Sequence, residues 1–167
     1  MSEKFEDHQI RDKIQIDYKY TMGGQSKFFI ELMKNKKLHG TKCTKCGKIW
    51  MPPRKNCSEC YTPAEWIEMP HTGTIEVSTI VWYGAAEFIK NVPYGCGFIK
   101  LDGANTALFQ GIFSENLVPS KIKKGRRVRA VFKKLDEREG KMTDFFFVPE
   151  DEYELWANKP EFEGGEE

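Results

Sequence analysis

No apolar run in this chain approaches the roughly 20 residues needed to carry a helix across a bilayer. The first thirty residues also lack the charged start, apolar stretch and small-residue cleavage site of a secretory leader. This reading excludes a membrane span and predicts a cytoplasmic, reducing setting. Net charge is scarce as well: 26 basic against 25 acidic residues leave +1, too little to draw the molecule as a whole to nucleic acid or an anionic membrane. An anion site would have to be local. Histidine is limited to His8, His39 and His71. His8 falls in a charged opening segment, His39 stands four residues before a cysteine, and His71 lies in a Pro-His-Thr-Gly turn, so the last two read as ordinary surface or turn residues.

Cysteine is sparse too, but four of the 5 are organised. Cys43 and Cys46 form one pair with two residues between them, and Cys57 and Cys60 form another. Two intervening residues let a tight turn bring both sulfurs to one tetrahedral ion at about 2.3 Å. The ten residues between the pairs are enough for a hairpin that folds one knuckle onto the other. Four thiolates close the coordination sphere, so the ion, one zinc per chain, is expected to be structural. Two disulfides are the alternative, disfavoured in a reducing setting. Cys96, in the apolar stretch YGCGFIKL, has no evident base nearby and reads as a small core thiol.

With 40% hydrophobic and 13% aromatic residues the chain reads as folded apart from its ends, and 167 residues suffice for one ordinary core plus a metal-stapled module. Four segments are expected: an N-terminal arm over 1–24, a helix and zinc ribbon over 25–70, a barrel over 71–149 and a C-terminal extension over 150–167. The arm carries Ile10, Ile14, Ile16 and Tyr18 as its regular apolar positions, and reads either as a free arm or as a short element laid on a partner, with no fold assigned to it. Gly23 and Gly24 break the chain, Ser26 is placed as a cap, and Phe28, Phe29, Leu32 and Met33 recur at helical spacing through about Lys36. A hairpin is expected over Leu38 to Met51 and a strand over Glu65 to Glu68. Five more strands are predicted at Gly73 to Tyr83, Tyr94 to Leu101, Thr106 to Phe113, Arg127 to Leu135 and Met142 to Val148. In the first of these Ile75, Val77, Thr79 and Val81 alternate with Glu76, Ser78 and Ile80. Pro119 limits Ser114 to Lys123 to a turn, Asp151 to Trp156 suits a terminal helical turn, and the closing EFEGGEE looks solvated and mobile. The fold class is therefore mainly β with a short N-terminal helix, a rubredoxin-like zinc ribbon followed by a five-stranded barrel of the OB type.

One basic cluster stands out: Lys121, Lys123, Lys124, Arg126, Arg127 and Arg129 place six cations in nine residues. It suits phosphate or an acidic partner, although a solvated strand entrance partly neutralised by Asp136, Glu137 and Glu139 is the plainer account. Arg54 beside the ribbon, and Trp82 and Tyr83 at the end of the first barrel strand, offer the reach and aromatic area that interfaces favour.

Taken in order, Phe28-Phe29 with Leu32, Leu38, CTKCGK, Pro52-Pro53-Arg54, Cys57 and Cys60, Gly73-Thr74-Ile75, Pro93-Tyr94, Ile99-Lys100-Leu101-Asp102, Gly125 before Val128 and Phe147-Val148-Pro149 resemble a known family over about Phe28 to Pro149. This family joins a rubredoxin-like zinc ribbon to an OB-fold, is described as acyl-CoA-associated, and was long a domain of unknown function. One departure is the second knuckle, CSECY, where relatives often have proline after the first cysteine and glycine after the second. It argues against symmetric hydrogen bonds to the sulfurs, a loss that zinc tolerates.

The resemblance implies an accessory subunit that is not catalytic alone: a hetero-oligomer with a thiolase-fold protein, helping to assemble or cover the acyl-CoA site for β-ketoacyl-CoA cleavage. Some relatives accompany thiolases that cleave aromatic or dicarboxylic β-ketoacyl-CoA esters, benzoylsuccinyl-CoA thiolase among them. Arg54, Trp82, Tyr83, Lys123, Lys124 and Arg126 are then the residues expected to meet the partner or a coenzyme A thioester at the interface. Two other readings stand beside this one. Zinc ribbons and OB barrels also bind nucleic acid, with Trp82, Tyr83 and Phe98 as stacking faces, but the charge balance disfavours it. Iron in the four-cysteine site would make a rubredoxin-like electron carrier.

Overall fold

The structure is a computed structural model and describes residues 10, 12, 15–83 and 92–165. Its elements are α1 (Ser26–Asn35), β1 (Leu38–Cys43), β2 (Ile49–Trp50), β3 (Ala64–Met69), β4 (Thr72–Val81), β5 (Tyr94–Leu101), β6 (Leu108–Ile112), β7 (Arg127–Lys133), β8 (Phe145–Pro149), α2 (Tyr153–Ala157) and β9 (Phe162–Gly164). Residues 15–22 of the expected arm form neither helix nor strand, and His8 and Ile14 lie outside the described residues. Among the described residues no helix is long and apolar enough to cross a membrane.

Helix α1 buries Phe28 and Leu32, four residues apart and so on one face. Lys36 ends it in the left-handed conformation, φ 56°, and Lys34 in the last turn suits the negative end of the helix dipole. Ser26 does not cap as expected: Gln25 holds the capping position, and the Ser26 hydroxyl donates to the Gly23 carbonyl at 2.7 Å.

Strand β1 pairs with both β2 and β3, giving a three-stranded ribbon sheet in the order β2-β1-β3. The barrel runs β4-β5-β6-β8-β7 and closes through antiparallel pairing of β4 with β7, Gly73 opposite Val128. One parallel step, Ile112 opposite Phe147, joins β6 to β8, and the Phe113 amide donates to the Phe147 carbonyl beside it at 2.8 Å. This is the closed five-stranded barrel expected from the sequence. Inside it Ile75, Ile99, Val128, Phe132 and Phe147 form one cluster with Phe28, Leu32, Leu38, Met51 and Met69. Helix, ribbon and barrel therefore share a core.

The alternation in β4 breaks at a bulge between Ile75 and Val77. Ile75 is buried and Ile80 packs against the core, whereas Val77 is exposed, so the inward face switches from odd to even positions. Closing a barrel demands such a bend, and Gly97 permits it, since a Cβ there would overlap the Val77 carbonyl.

The C-terminal residues are not the solvated tail read from the sequence. Residues Phe162–Gly164 pair with β7, Phe132 opposite Glu163, and Phe162 packs with Val131, Phe146 and Tyr153 in a second apolar cluster outside the barrel wall. Glu163 meets Lys36 at 3.3 Å and the buried Arg138 at 3.2 Å. Arg138 also donates to the carbonyls of Lys133 at 2.6 Å and Met33 at 3.1 Å, bolting helix, barrel and last strand together.

Candidate metal centre and interface groove

The end of β1 and the turn before β3 bring Cys43, Cys46, Cys57 and Cys60 together, all four sulfurs within 4.8 Å of one another. Cys46 Sγ and Cys57 Sγ are 3.9 Å apart, close to the spacing of about 3.8 Å that tetrahedral bonds of 2.3 Å require. The donor set fits a metal ion. Amides of Lys45 and Cys46 point at Cys43 Sγ, each at 3.4 Å, and the Thr62 hydroxyl lies 3.3 Å away.

These donors, the Cys46 amide first and then the Thr62 hydroxyl, lower the Cys43 thiol to about 6. At Cys57 burial opposes ionisation, but the amides of Cys60 and Glu59 outweigh it and the thiol is lowered. The hydrogen bond with Cys46 and burial push Cys60 up to about 12. Four crowded sulfurs do not all ionise without a cation among them, which is the electrostatic mark of a metal-thiolate site.

The two knuckles match more closely than CSECY suggested. Cys43 N donates to Lys48 O and Cys57 N to Thr62 O, both at 2.9 Å, and Cys57 receives two amide donors just as Cys43 does. Glycine is absent from the second knuckle, yet its geometry is kept by Tyr61, which takes φ 55° where Gly47 takes 74°. The signal lies in the shared register of the two Cys-x-x-Cys turns, which sets the same positive φ after each second cysteine whether or not glycine stands there.

The structure separates the residues expected at a partner or ligand contact. Trp82, Lys123 and Lys124 line one groove of about 550 Å³ between β4 and the segment around Pro119 and Ile122. Lys123 and Lys124 continue into an adjoining hollow with Arg126. Tyr83 is exposed beyond the end of β4. Arg54 stands apart, its guanidinium 4.8 Å from the centre of the Trp50 ring, and Lys48 approaches the same ring at 4.7 Å.

Neutralisation of the basic cluster comes from elsewhere than Asp136, Glu137 and Glu139. Lys121 pairs with Asp151 and Glu152 at 3.2 and 3.0 Å, Arg126 with Asp151 at 2.6 Å, and Arg127 with Asp102 at 2.6 Å. Arg129 covers the Tyr153 ring at 4.2 Å. Among the described residues Lys123 and Lys124 have no ion pair, so the cations left for a ligand are those facing the groove. Sequence reasoning missed the partners because they lie about 25 to 30 residues away along the chain.

His39 and His71 are buried rather than superficial. His39 lies edge-on to Trp66 with centroids 6.4 Å apart, and burial, then Lys27, lowers its basicity. His71 packs on Phe132 with centroids 4.9 Å apart. Cys96 is buried as expected, and burial raises its thiol.

No family model matches this sequence. A curated relative from Methanothermobacter thermautotrophicus, described as a DUF35 domain-containing scaffold protein, is 28% identical over 102 residues, which is 60% of this chain and 74% of that protein. The fold is similar to that of a chain described as Ltp2-ChsH2(DUF35) aldolase, with TM-score 0.59 and 19% identity over 78% of this chain and 98% of that one. It is also similar to a DUF35-family protein of unknown function from Sulfolobus solfataricus, with TM-score 0.52 and 23% identity over 68% and 81% of the two chains. The family resemblance read from the motifs holds: all three carry the DUF35 designation, and this chain has both the four-cysteine cluster and the barrel.

Proposed function

We propose that this chain is a noncatalytic accessory subunit of a complex that processes acyl-CoA thioesters, that its partner has the thiolase fold, and that one zinc per chain holds its ribbon. The observation that carries this reading is the likeness over 102 residues to a protein described as a scaffold. The geometry supports it. Four sulfurs already form a closed donor set, leaving a bound zinc no open position for a water or a carbonyl. The groove of Trp82, Lys123 and Lys124 offers an aromatic face beside two unpaired cations, which suits the adenine and phosphates of coenzyme A. A long thioester ligand in a site shielded from water is well served by a second rigid subunit.

Co-expression with a thiolase-fold enzyme tests the proposal, with β-ketoacyl-CoA cleavage measured in the presence and absence of this chain. A stable complex with activity that depends on the chain is expected; no complex and unchanged cleavage would sink the reading. Metal analysis of the same material separates the redox alternative: colourless protein with one zinc per chain is expected, while iron absorption bands would favour electron transfer.

One observation favours a nucleic-acid reading. Phe98 and Phe109 stand exposed in edge-to-face contact, 5.2 Å apart, on neighbouring strands of the barrel, the face that OB-folds use for oligonucleotides. Single-strand binding that weakens steeply with salt would support it. The pairing of Lys121, Arg126 and Arg127 with carboxylates weighs against it.

A further inference from the structure

The second knuckle holds a side chain with no internal use among the described residues. Tyr61 follows Cys60 as Gly47 follows Cys46, and both residues have positive φ. Each amide donates to the carbonyl of the first cysteine in its own knuckle, Gly47 to Cys43 at 3.1 Å and Tyr61 to Cys57 at 2.9 Å. Glycine enters this left-handed region without steric penalty, but a bulky residue crowds its Cβ against the backbone and is an outlier there.

Among the described residues nothing compensates. The Tyr61 side chain is 84% exposed, and among the described residues it makes no ring contact, cation contact or side-chain hydrogen bond. Backbone strain kept without local benefit points to a use outside the chain.

The base of the ring is fixed. Cys57 N donates to Thr62 O at 2.9 Å, Ala64 N to Lys55 O at 3.0 Å, and Asn56 bridges to Pro63. A side chain presented from so rigid a turn loses little freedom on binding, and tyrosines of this kind are enriched among the residues that dominate interfaces. The chemistry of the occupant follows from charge. Residues 56–63 read NCSECYTP, with Glu59 as their one charged side chain, and Glu59 is paired with Lys48. Residues 56–63 offer no lysine or arginine to meet a phosphate, and their one carboxylate is already paired, so an apolar protein pocket is the occupant that this knuckle suits.

We propose that Tyr61 is the anchor by which the ribbon grips its protein partner, its ring entering an apolar pocket on the acyl-CoA enzyme subunit. This rests on the accessory-subunit reading above. The test measures affinity for the co-expressed thiolase-fold partner, and melting of each free chain, for the full-length wild type, Tyr61→Gly and Tyr61→Phe. Tyr61→Gly is expected to melt at or above the wild-type temperature, because strain is relieved, yet to bind at least about 10-fold more weakly. Tyr61→Phe keeps the ring and is expected to bind within about threefold of wild type.

Wild-type affinity in Tyr61→Gly would overturn the anchor and leave the accessory reading intact. A lower melting temperature in Tyr61→Gly would overturn it too, by showing that the ring serves the ribbon's own fold. A loss in Tyr61→Phe as large as in Tyr61→Gly would overturn apolar insertion. Failure of the wild type to bind at all would overturn both readings.

Discussion

Thr106 and Met51 exchange two hydrogen bonds through one hydroxyl: Thr106 Oγ1 accepts from the Met51 amide and donates to the Met51 carbonyl, both at 2.8 Å. Beside them Asn105 accepts from Ile49 N at 2.8 Å through its side chain and donates to Ile49 O at 2.9 Å through its backbone. The loop between β5 and β6 thus completes the backbone pairing of the metal ribbon, and Met51 itself is fully buried in the common core. Thr106→Val should leave both Met51 groups unpaired and cost about 1–3 kcal/mol for each buried group lost, read by urea denaturation. A change below about 0.5 kcal/mol, the size of an ordinary surface effect, would mean that the ribbon is not held this way.

Chelation is expected to reach the barrel as well as the ribbon, because Leu38, Met51 and Met69 share a cluster with Ile75 and Phe132. Structural zinc contributes an apparent 10–16 kcal/mol or about that in small modules, as large as the whole stability of a typical domain. At about 2–4 °C per kcal/mol for a chain of this size, stripping the metal should lower the melting temperature by well over about 10 °C. Hydrogen exchange should then accelerate in β4 and β7 together with β1. Exchange confined to the ribbon would show that the modules are energetically separate.

Asp102 gives the fold an acid-sensitive clasp. Arg127 meets it with two nitrogens, at 2.6 and 2.7 Å, and the Thr72 hydroxyl donates to it at 2.6 Å. The guanidinium first, then the Thr72 hydroxyl, holds the carboxyl at about 2, below its ordinary 3.8, against the opposing effect of burial. A carboxyl whose pKa is lower folded than unfolded stabilises the fold above its unfolded value. That contribution should fade as pH falls from about 4 to about 2. Asp102→Asn is therefore expected to be less stable than wild type at pH 7 and equal to it near pH 2, read by denaturation at the two pH values. Solvent at this half-exposed pair keeps the effect modest. An equal deficit at both pH values would refute the linkage.

The ribbon and the barrel strands were legible because spacing and alternation are local: Cys43, Cys46, Cys57 and Cys60 announce their own geometry, and β5 begins and ends where its apolar pattern does. What was not legible depends on distant partners. The switch of faces in β4 comes from barrel closure against Gly97, and a run reading Ile75, Val77, Thr79, Val81 gives no hint of it. Phe162 looked like a lone apolar residue in an acidic tail, because the Phe146 and Trp156 rings it meets, with centroids 4.9 and 6.0 Å away, belong to β8 and α2. Trp82 and the lysines at 123 and 124 could each be singled out from sequence, but their meeting in one groove required the fold.

One carboxylate gathers three amides in the turn from β7 into β8. Asp144 is fully buried, and its Oδ2 accepts from the amides of Glu139, Gly140 and Lys141 at 3.0, 2.6 and 2.9 Å. This turn replaces the first three residues of the strand expected from Met142. Asp144→Ala should cost about 3 kcal/mol, since hydrogen bonds to a charged group contribute about 1.5–3 kcal/mol each and relaxation recovers part of the loss. Asp144→Asn, which retains an acceptor oxygen, should recover much of it. Denaturation of both variants checks this, and an Asp144→Ala as stable as wild type would show that the turn is held by its other contacts.

Lys123 and Lys124 provide the test that bears most directly on ligand binding. Their neighbours Lys121, Arg126 and Arg127 are engaged with carboxylates, so removing those side chains would disturb the fold and confuse any loss of affinity. Lys123 and Lys124 are exposed and carry no such pairing among the described residues. The double variant Lys123→Ala, Lys124→Ala should therefore melt within about 1–2 °C of wild type, as surface substitutions do. In the complex proposed above it should weaken the proposed coenzyme A thioester binding by about 10-fold if the two cations contribute about 1.4 kcal/mol between them. The deficit should shrink as salt rises, because screening weakens the wild-type contact and leaves the variant little to lose. Binding unchanged at low salt would remove the groove from the ligand's path and leave Trp82 facing the partner alone.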